Sequence, residues 1–354
     1  MSDDLADLRG LADDIFASLG ADALLVPEVA PVWNPPLWEA LADAGLTLLS
    51  TPDGAGGSGA GIAESSTVIE EAARFAAPIP VAECDLLAAW LLSTAGRSVP
   101  AGPLTSACAA VELSPAVAGT TRVSGVAQRV PWARDCDAVV VCGTTGDRAV
   151  LVVVPTASAS IEPGVNLAHE PRDTVGFDLE VADDELVELP AGTSEQWSYR
   201  AALGRSAGTV GALEGAVALT TEHAIERVQF GRALAKFQAV QHLIAVAAGE
   251  VTAARAAHDA AVRAVEVDGF DSTRAHFAVA VAKAQAARAA RQVTAIAHQV
   301  HGAIGFTLDH QLRHFTLRAL AYSSEAGGEA QWNRRIGELV LDEPSLWLAV
   351  TGLS

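Results

Sequence analysis

Residues 222–245 read EHAIERVQFGRALAKFQAVQHLIA, and this stretch determines how the C-terminal half of the chain is built. A long helical pattern ends at Glu226 and Arg227, a turn follows at Gly231, and a second helical pattern starts near Phe237. The stretch therefore predicts two long helices joined by a tight turn. An arginine at the end of the first helix can bind a diphosphate through two parallel hydrogen bonds, which a lysine does less well. The alternative is a charge partner at the helix C-terminus.

Outward from this stretch, helical patterns flank a β-rich middle. Residues 1–103 carry apolar positions at helical spacing, whereas residues 104–193 contain short β-branched segments bounded by Gly, Pro and Asp. From residue 194 the helical pattern returns in long alanine-rich runs, whose axes can pack closely as a bundle. We therefore predict a mostly α chain with a β insert. Its domains are an N-terminal helical domain (1–103), a small middle β-domain (104–193) that is an antiparallel sheet or barrel, and a C-terminal four-helix bundle (194–354).

The composition argues against several classes of protein. The chain has 354 residues, half of them apolar, so it can bury a large core. Its net charge of −20 argues against a nucleic-acid ligand, because nucleic-acid binders present a basic face. No apolar run is long enough to cross a bilayer, and the acidic N-terminus does not have the pattern of a signal peptide. We therefore expect a soluble cytoplasmic protein with no membrane span.

Cysteine, histidine and glycine patterns provide no metal or phosphate motif. The four cysteines lack metal-ligand spacing, and Cys136 and Cys142 lie in the strand-like run DCDAVVVCG, which favours buried free thiols. The nine histidines include no HExxH pair, so we predict no metal site. The run GGSGAG at 56–61 does not follow an apolar strand, which favours a loop between helices over a phosphate-binding turn.

Three segments resemble the acyl-CoA dehydrogenase family, and they occur in the family's order. Residues 37–83 look like its helical segment with a GGxG loop, and residues 222–245 resemble its RxQFG and FQ stretch. Residues 299–319, QVHGAIGFTLDHQLRHFTLRA, resemble its QxHGGxGFT stretch. The resemblance covers nearly the whole chain and is weakest over the β insert. It implies an FAD-dependent enzyme that desaturates acyl-CoA thioesters and passes electrons to an electron-transfer flavoprotein.

The resemblance also assigns residues to the cofactor. Arg227 matches the arginine that reaches the flavin diphosphate of a neighbouring subunit, so the resemblance implies a site built across an interface. Gln299 and Gly302 match the turn at the adenosine end, with Ala303 in place of a second glycine, although Gly302 also suits a simple αL helix stop. Trp132 falls near the isoalloxazine ring, where stacking and a core position are both open. The predicted cofactor-binding residues are Arg227, Gln229, Phe230, Gln238, Gln299, Gly302 and Trp132.

The catalytic base does not stand at either place that the family uses. Desaturation needs a carboxylate to remove the α-proton, and family members carry it before the final helix or at the start of the long helix that precedes RxxFG. The first position reads Ala326, with Glu325 one residue early, so the Glu325 side chain would point elsewhere unless the turn shifts. The second reads Ala201, and the nearest acid, Glu195, is expected outside the helix.

Three hypotheses follow from this pattern. In the first, the chain is one subunit of a heterotetramer whose second acyl-CoA dehydrogenase subunit carries the glutamate, as the resemblance to shortened actinobacterial enzymes of steroid side-chain breakdown implies. In the second, it is a self-sufficient homo-oligomer that uses Glu325. In the third, it is a structural subunit that binds flavin without chemistry. A roomy acyl pocket and close helix packing would both select the small residues near the start of the long helix: Ala201, Ala202, Gly204, Ala207 and Gly208.

Overall fold

The computed structural model describes residues 3–20, 30–117 and 119–341, and helices precede and follow one large sheet. The predicted fold class, mostly α with a β insert, is therefore confirmed. No helix within the described ranges is both long and apolar enough to cross a membrane.

Local sequence signals set several helix ends. The helices are α1 (Asp3–Gly20), α2 (Pro35–Asp43), α3 (Ile62–Arg74), a π-helical stretch (Glu83–Ala89) that continues into α4 (Trp90–Thr94), α5 (Thr193–Glu226), α6 (Gln238–Asp268), α7 (Thr273–His301), α8 (Leu312–Ser324) and α9 (Glu329–Leu341). The Asn34 side chain caps α2 by accepting a hydrogen bond from the Leu37 amide, and two prolines occupy the first positions of that helix. Ser272 caps α7 in the same way through the Ala275 amide.

The strands form one mixed sheet, whereas the sequence predicted an antiparallel sheet or barrel. Its strands are β1 (Leu104–Pro115), β2 (Thr120–Pro131), β3 (Ala138–Thr145), β4 (Arg148–Pro155), β5 (Ser160–Glu162), β6 (Arg172–Ala182) and β7 (Glu188–Leu189), in the order β5-β6-β2-β1-β3-β4-β7. β1 and β3 run parallel, with Cys108 opposite Cys142. The antiparallel prediction is wrong for this pair, because β2 occupies one edge of β1 and the chain crosses over to the other edge before β3 begins. Cys136 and Cys142 are buried free thiols, as predicted.

The glycine-rich run is a loop between α2 and α3, as the sequence predicted. A Cβ at Gly57 would overlap the backbone of Thr51, so only glycine allows this close approach. Asp85, in the π-helical stretch, holds the start of the loop by accepting hydrogen bonds from the Ser50 amide at 3.0 Å and the Thr51 hydroxyl at 3.0 Å. The loop is therefore fixed by contacts within the chain.

The described residues divide into two compact units. The helical unit consists of α1, Ser66–Ala77 and the chain from Ala202 through α9, and the sheet unit consists of Val32–Ser65 and Pro78–Ala201. The core of the helical unit is rich in small residues and includes Ala73, Val210, Leu213, Ala247, Val251, Ala289 and Val293. The core of the sheet unit is mainly β-branched and includes Val111, Val123, Val139, Val141, Val152 and Val175. The three domains with boundaries at 103 and 193 stay a prediction.

One buried carboxylate, Glu70 on α3, connects four helices of the helical unit. It is 3% exposed and accepts hydrogen bonds from Arg9 of α1 and Arg255 of α6, each at 2.9 Å. Arg255 also donates to Glu214 of α5 at 2.6 Å. Burial raises the pKa of Glu70 to about 7, and the two arginines oppose that rise. Loss of either guanidinium would therefore leave a buried carboxylate with less compensation.

We expect Gly211→Ala to destabilise the helical unit, because a Cβ at this position of α5 would overlap the backbone carbonyl of Glu70. Overpacking against rigid backbone typically lowers the free energy of unfolding by about 1–3 kcal/mol. Gly249→Ala on α6 is the matched control: a Cβ there meets nothing within 4 Å. This control should gain about 0.5–1 kcal/mol, because alanine replaces a helical glycine. Urea denaturation measures both changes, and an equal effect of the two substitutions would contradict the close approach of α5 to α3.

Candidate cofactor site and catalytic turn

A short hairpin follows α5 and carries two of the predicted cofactor residues, Gln229 and Phe230, directly after a third, Arg227. Its strands are β8 (Val228–Gln229) and β9 (Arg232–Ala233), and Phe230 and Gly231 join them with φ angles of 52° and 79°. Positive φ at both central residues defines a type I′ turn, which Gly231 adopts easily and Phe230 does not. The Phe230 ring is nevertheless 88% exposed. A bulky residue that is both strained and exposed is typical of a functional contact.

Side chains of this hairpin also contact Phe237, the residue directly before α6. The ring of Phe230 lies edge-on to that of Phe237, with 6.2 Å between centroids, and the Arg232 guanidinium lies 4.1 Å from the Phe237 centroid. Gln238 follows directly as the first residue of α6. The structure therefore groups Arg227, Gln229, Phe230 and Gln238, and the side chains of all four are exposed.

The remaining predicted residues of the helical unit lie at the end of α7, close to the end of α5. The ring of His301, the last residue of α7, stacks on that of His223 with 4.4 Å between centroids. His223 is one helical turn before Arg227, whose amide donates to the His223 carbonyl at 2.9 Å. Gln299 is exposed and lies in the same last turn as His301. The structure therefore places Gln299 and Gly302 at the same end of the helical unit as Arg227.

Gly302 ends α7, although in a different conformation from the one predicted. Its φ of 65° and ψ of −144° lie outside the αL region, in a part of conformational space that only glycine adopts readily. A tight 3₁₀ turn, Gly302–Phe306, follows. Gly305 is buried within this turn, where a Cβ would lie 2.9 Å from the Cβ of His301. Close packing therefore explains the glycine at position 305, while Gly302 faces solvent.

The chemistry of this group of residues fits FAD. A guanidinium suits the diphosphate, the amides of Gln229, Gln238 and Gln299 suit ribose and adenine atoms, and exposed apolar groups suit the ring faces. Besides Phe230, the exposed apolar residues in this region are Ile225, Val228, Ile304, Phe306 and Leu308. Exposed apolar groups around polar donors are typical of a surface that becomes covered by a ligand or a second subunit.

Trp132 belongs to the sheet unit and occupies a core position. Its indole is 2% exposed, and the centroid of its ring lies 6.3 Å from that of Trp33. The residue adopts a φ of 53°, uncommon for a large side chain, at the end of β2. Stacking on a flavin stays a prediction, and it would require one face of this indole to be uncovered.

The turn after α8 is where the sequence resemblance expects the family's glutamate, and several side chains fix this turn. Ala326 has a φ of 52°, and Gly327 follows with a φ of 91°. The indole N–H of Trp332 on α9 donates to the Ala326 carbonyl at 2.9 Å. A Cβ at Gly327 would lie 2.6 Å from the same indole nitrogen, so glycine is required there. The turn is therefore held against α9.

Glu325 does not offer an open carboxylate. Its Oε2 accepts a hydrogen bond from Arg205 Nε of α5 at 2.7 Å, and the Glu325 side chain is 10% exposed. The Arg205 guanidinium also lies 4.7 Å from the ring centroid of Tyr322. A carboxylate held in an ion pair is a weaker base than an isolated one, because the positive charge stabilises its ionised form.

The second position of the family glutamate is also without an acid. Ala201 lies buried within α5. Glu195 was expected outside this helix, but α5 begins at Thr193, so Glu195 lies in its first turn, where it is exposed. The expectation was wrong, because Glu195 is the third residue of α5.

Lys283 of α7 is a residue of this region that the sequence motifs did not reveal. It is fully buried, and its Nζ donates to the carbonyls of Tyr322 at 3.0 Å and Ser323 at 2.9 Å, at the end of α8. Burial lowers the pKa of Lys283 to about 7; Arg205 lowers it further and Glu325 opposes the shift. The one available signal was a lysine isolated in an alanine-rich run, in a chain with only one other lysine.

Comparisons with known proteins point to one family. A model described as the acyl-CoA dehydrogenase C-terminal domain matches residues 199–339, and one described as the N-terminal domain matches residues 21–98. Acyl-CoA dehydrogenase FadE27 of Mycobacterium tuberculosis is 28% identical, over 96% of this chain and 97% of its own length. The ChsE4–ChsE5 complex from Mycobacterium tuberculosis matches with a TM-score of 0.84 at 24% identity, over 98% of this chain and 99% of that one. A variant of the steroid ACAD Tcur3481–Tcur3483 matches with a TM-score of 0.81 at 26% identity, over 96% and 98%.

We expect Lys283→Met to remove a pH-dependent part of the stability. Because the pKa of Lys283 is about 7 in the folded chain against an ordinary 10.5, the unfolded chain binds a proton more strongly between these values. The free energy of unfolding should therefore rise with pH across that window in the wild type, and the variant should lose this rise. The free energy of unfolding of the variant should also be lower by about 1–3 kcal/mol, because the carbonyls of Tyr322 and Ser323 lose their donor.

Urea denaturation at several pH values measures both effects of Lys283→Met. Lys236→Met is the matched control, because it replaces the chain's other lysine, which is exposed. A wild-type stability that stays constant between pH 7 and 10.5 would show that Lys283 keeps its ordinary pKa.

Proposed function

Since the chain belongs to the acyl-CoA dehydrogenase family of FAD-dependent oxidoreductases, we propose that it is one subunit of a heteromeric acyl-CoA dehydrogenase whose partner supplies the catalytic glutamate. The reaction removes hydrogen from the α and β carbons of an acyl-CoA thioester. In this proposal the chain contributes to cofactor binding, and the partner's carboxylate removes the α-proton.

The pairing of Glu325 with Arg205 is the observation that carries this proposal. The family's two glutamate positions hold Ala326 and Ala201, and the neighbouring carboxylate is held at 2.7 Å from a guanidinium. Trp332 and Lys283 fix the turn on either side, so a shift that re-aims Glu325 would break several hydrogen bonds together. Such a shift would leave the part-buried Ala326 carbonyl and the buried Lys283 amine without partners, which is unfavourable.

The residues that would hold FAD are those grouped around the hairpin and the end of α7. When bound, FAD supplies the acceptor for the hydride that leaves the β-carbon. Arg227 would neutralise diphosphate charge, and Gln229, Gln238 and Gln299 would donate to polar atoms of the adenosine part. Phe230 would cover an apolar face and exclude water from the charged contact, which strengthens that contact.

The partner and the substrate class rest on the relatives. The names of both matched assemblies contain two components, ChsE4 with ChsE5 and Tcur3481 with Tcur3483, and the second is described as a steroid ACAD. We therefore propose a bulky thioester such as a steroid side-chain acyl-CoA, an electron-transfer flavoprotein as acceptor and a cytoplasmic location. The small residues of α5 contribute little to this choice. A Cβ at Gly208 would lie 2.8 Å from the Tyr322 ring, so helix packing alone requires that glycine.

We expect the chain to reduce flavin only together with its partner subunit. The purified chain, alone and co-expressed with a candidate partner, is mixed with an acyl-CoA, and bleaching of the flavin absorbance is followed. In the complex, Glu325→Gln should change the bleaching rate by no more than about twofold, because the residue does not act as the base. Glu329→Gln, four residues along the chain, is the matched control.

The other two hypotheses correspond to other results of the same experiment. Bleaching by the chain alone that Glu325→Gln abolishes would establish the self-sufficient enzyme and overturn the proposal. If the complex holds flavin but no acyl-CoA bleaches that flavin, only the hypothesis of a structural subunit would remain.

We expect Arg227→Lys to weaken FAD binding in the complex about tenfold or more, because hydrogen bonds to charged groups contribute about 1.5–3 kcal/mol and lysine cannot form the paired contact. Titration of the stripped complex with FAD, followed by flavin fluorescence, measures the affinity. Arg263→Lys, an exposed arginine on α6, is the control and should leave the affinity unchanged. Equal affinities for both variants would exclude Arg227 from the cofactor site.

A further inference from the structure

Three histidines from three separate elements meet at the end of the helical unit. His223 is in the last turn of α5, His301 ends α7, and His310 lies between the 3₁₀ turn Gly302–Phe306 and α8. Their ring nitrogens available as ligands all lie within 4.8 Å of one another. The rings of His301 and His310 are nearly perpendicular, with 4.8 Å between centroids. His223 lies far from His301 and His310 in the sequence, so no local motif predicts the group.

His301 is oriented as a metal ligand commonly is. Its Nδ1 lies 2.8 Å from the Ala297 carbonyl, which can only accept, so Nδ1 carries the proton and Nε2 keeps a lone pair. The residue is 6% exposed, and Nε2 has no hydrogen-bond partner among the described residues. A backbone carbonyl that fixes the ring through Nδ1 is the usual support of a histidine that binds metal through Nε2. A buried acceptor without a partner is otherwise unfavourable.

The electrostatic environment keeps the imidazoles in the form that binds metals. Burial lowers the pKa of His301 to about 4, and burial also lowers the pKa values of His223 and His310. The nearby charges act in both directions: Arg227 lowers and Glu226 raises the pKa of His223. His298, the fourth histidine of this region, acts on His301. Burial therefore disfavours the charged imidazolium form at all three positions.

We propose that His223, His301 and His310 bind one divalent transition-metal ion of the zinc class. Three imidazole nitrogens with one further position for water is a common arrangement for zinc, with bonds of about 2.0–2.1 Å. Such bonds bring the three nitrogens closer together than 4.8 Å, so the rings must rotate. His223 and His310 are half-buried and can turn, whereas His301 is held by its hydrogen bond to Ala297.

Binding also requires a local change at His310. Its Nδ1 accepts a hydrogen bond from the Leu312 amide at 3.1 Å, so the neutral ring carries its proton on Nε2. The ion must therefore replace either that proton or the Leu312 contact. If the ion takes the Nε2 position, the proton moves to Nδ1 and the Leu312 amide loses its acceptor. Ion binding should accordingly alter the start of α8.

The site is adjacent to the residues that we assign to the cofactor. His223 is one helical turn before Arg227. A divalent ion here adds positive charge beside the guanidinium and should favour a diphosphate. This consequence rests on the proposed function, whereas the metal site itself rests only on the three histidines.

Calorimetric titration with Zn²⁺ tests the site without any flavin. The full chain, tag-free and treated with a chelator, should bind one ion per chain, and Co²⁺ at the same site should show the visible absorption bands typical of tetrahedral coordination. No heat of binding and no such bands would overturn the proposal. Because FAD is absent from this measurement, its failure would leave the proposed function untouched.

Variants then locate the bound ion. His301→Ala, His223→Ala and His310→Ala should each weaken Zn²⁺ binding at least about tenfold, because changes around metal ligands commonly cost that much or more. His242→Ala, which removes an exposed histidine of α6, is the matched control and should bind as the wild type does. Thermal unfolding without metal checks that each variant is folded. If the buried His301 variant does not fold, the half-buried His223 and His310 variants decide, and wild-type affinity in both would place the ion elsewhere and overturn the proposal.

Discussion

The ion pairs of the Glu70 carboxylate with Arg9 and Arg255 are the interaction on which the packing of the helical unit depends. Glu70 lies on α3 with 3% exposure and meets guanidinium groups from α1 and α6. Its own backbone carbonyl lies so close to α5 that the facing residue, Gly211, can have no side chain. A buried charge of this kind adds little net stability, but it is strongly unfavourable when its partners are misplaced. The arrangement therefore selects one relative placement of these helices among several that an alanine-rich core would accept.

That placement determines what happens at the two functional regions of the helical unit. α5 carries Arg205 towards the turn after α8 and, at its other end, His223 and Arg227 towards the end of α7. A single long helix thus connects the turn at Ala326 with the exposed residues Arg227, Gln229 and Phe230. The two regions differ physically: the turn is held by hydrogen bonds within the chain, while these three residues face outward. Under the proposed function, this is the distribution of a subunit that binds the cofactor while its partner supplies the base.

The fold was largely predictable, because its signals are local. The turn at Phe230 and Gly231, the capping residue Ser272 and the β-branched middle segments each act within a few residues of themselves. The parallel pairing of β1 with β3 was not predictable, since it depends on a crossover that no local pattern specifies. The candidate site likewise has features that the sequence predicts and features that it does not. The register that the family resemblance gives for Ala326 can be read from the sequence, whereas the partner of Glu325 and the meeting of His223 with His301 and His310 arise only from packing between distant segments.

The strained hairpin after α5 has a consequence for the free energy of binding at this surface. Phe230 already has its positive φ in the isolated chain, and two short strands hold its position. The entropy of ordering the loop is therefore lost when the chain folds, and association does not have to lose it again. Gly231 makes this possible without offering any side-chain atom to a ligand. Its influence on recognition is exerted before the encounter, through the rigidity of the segment that carries the aromatic ring.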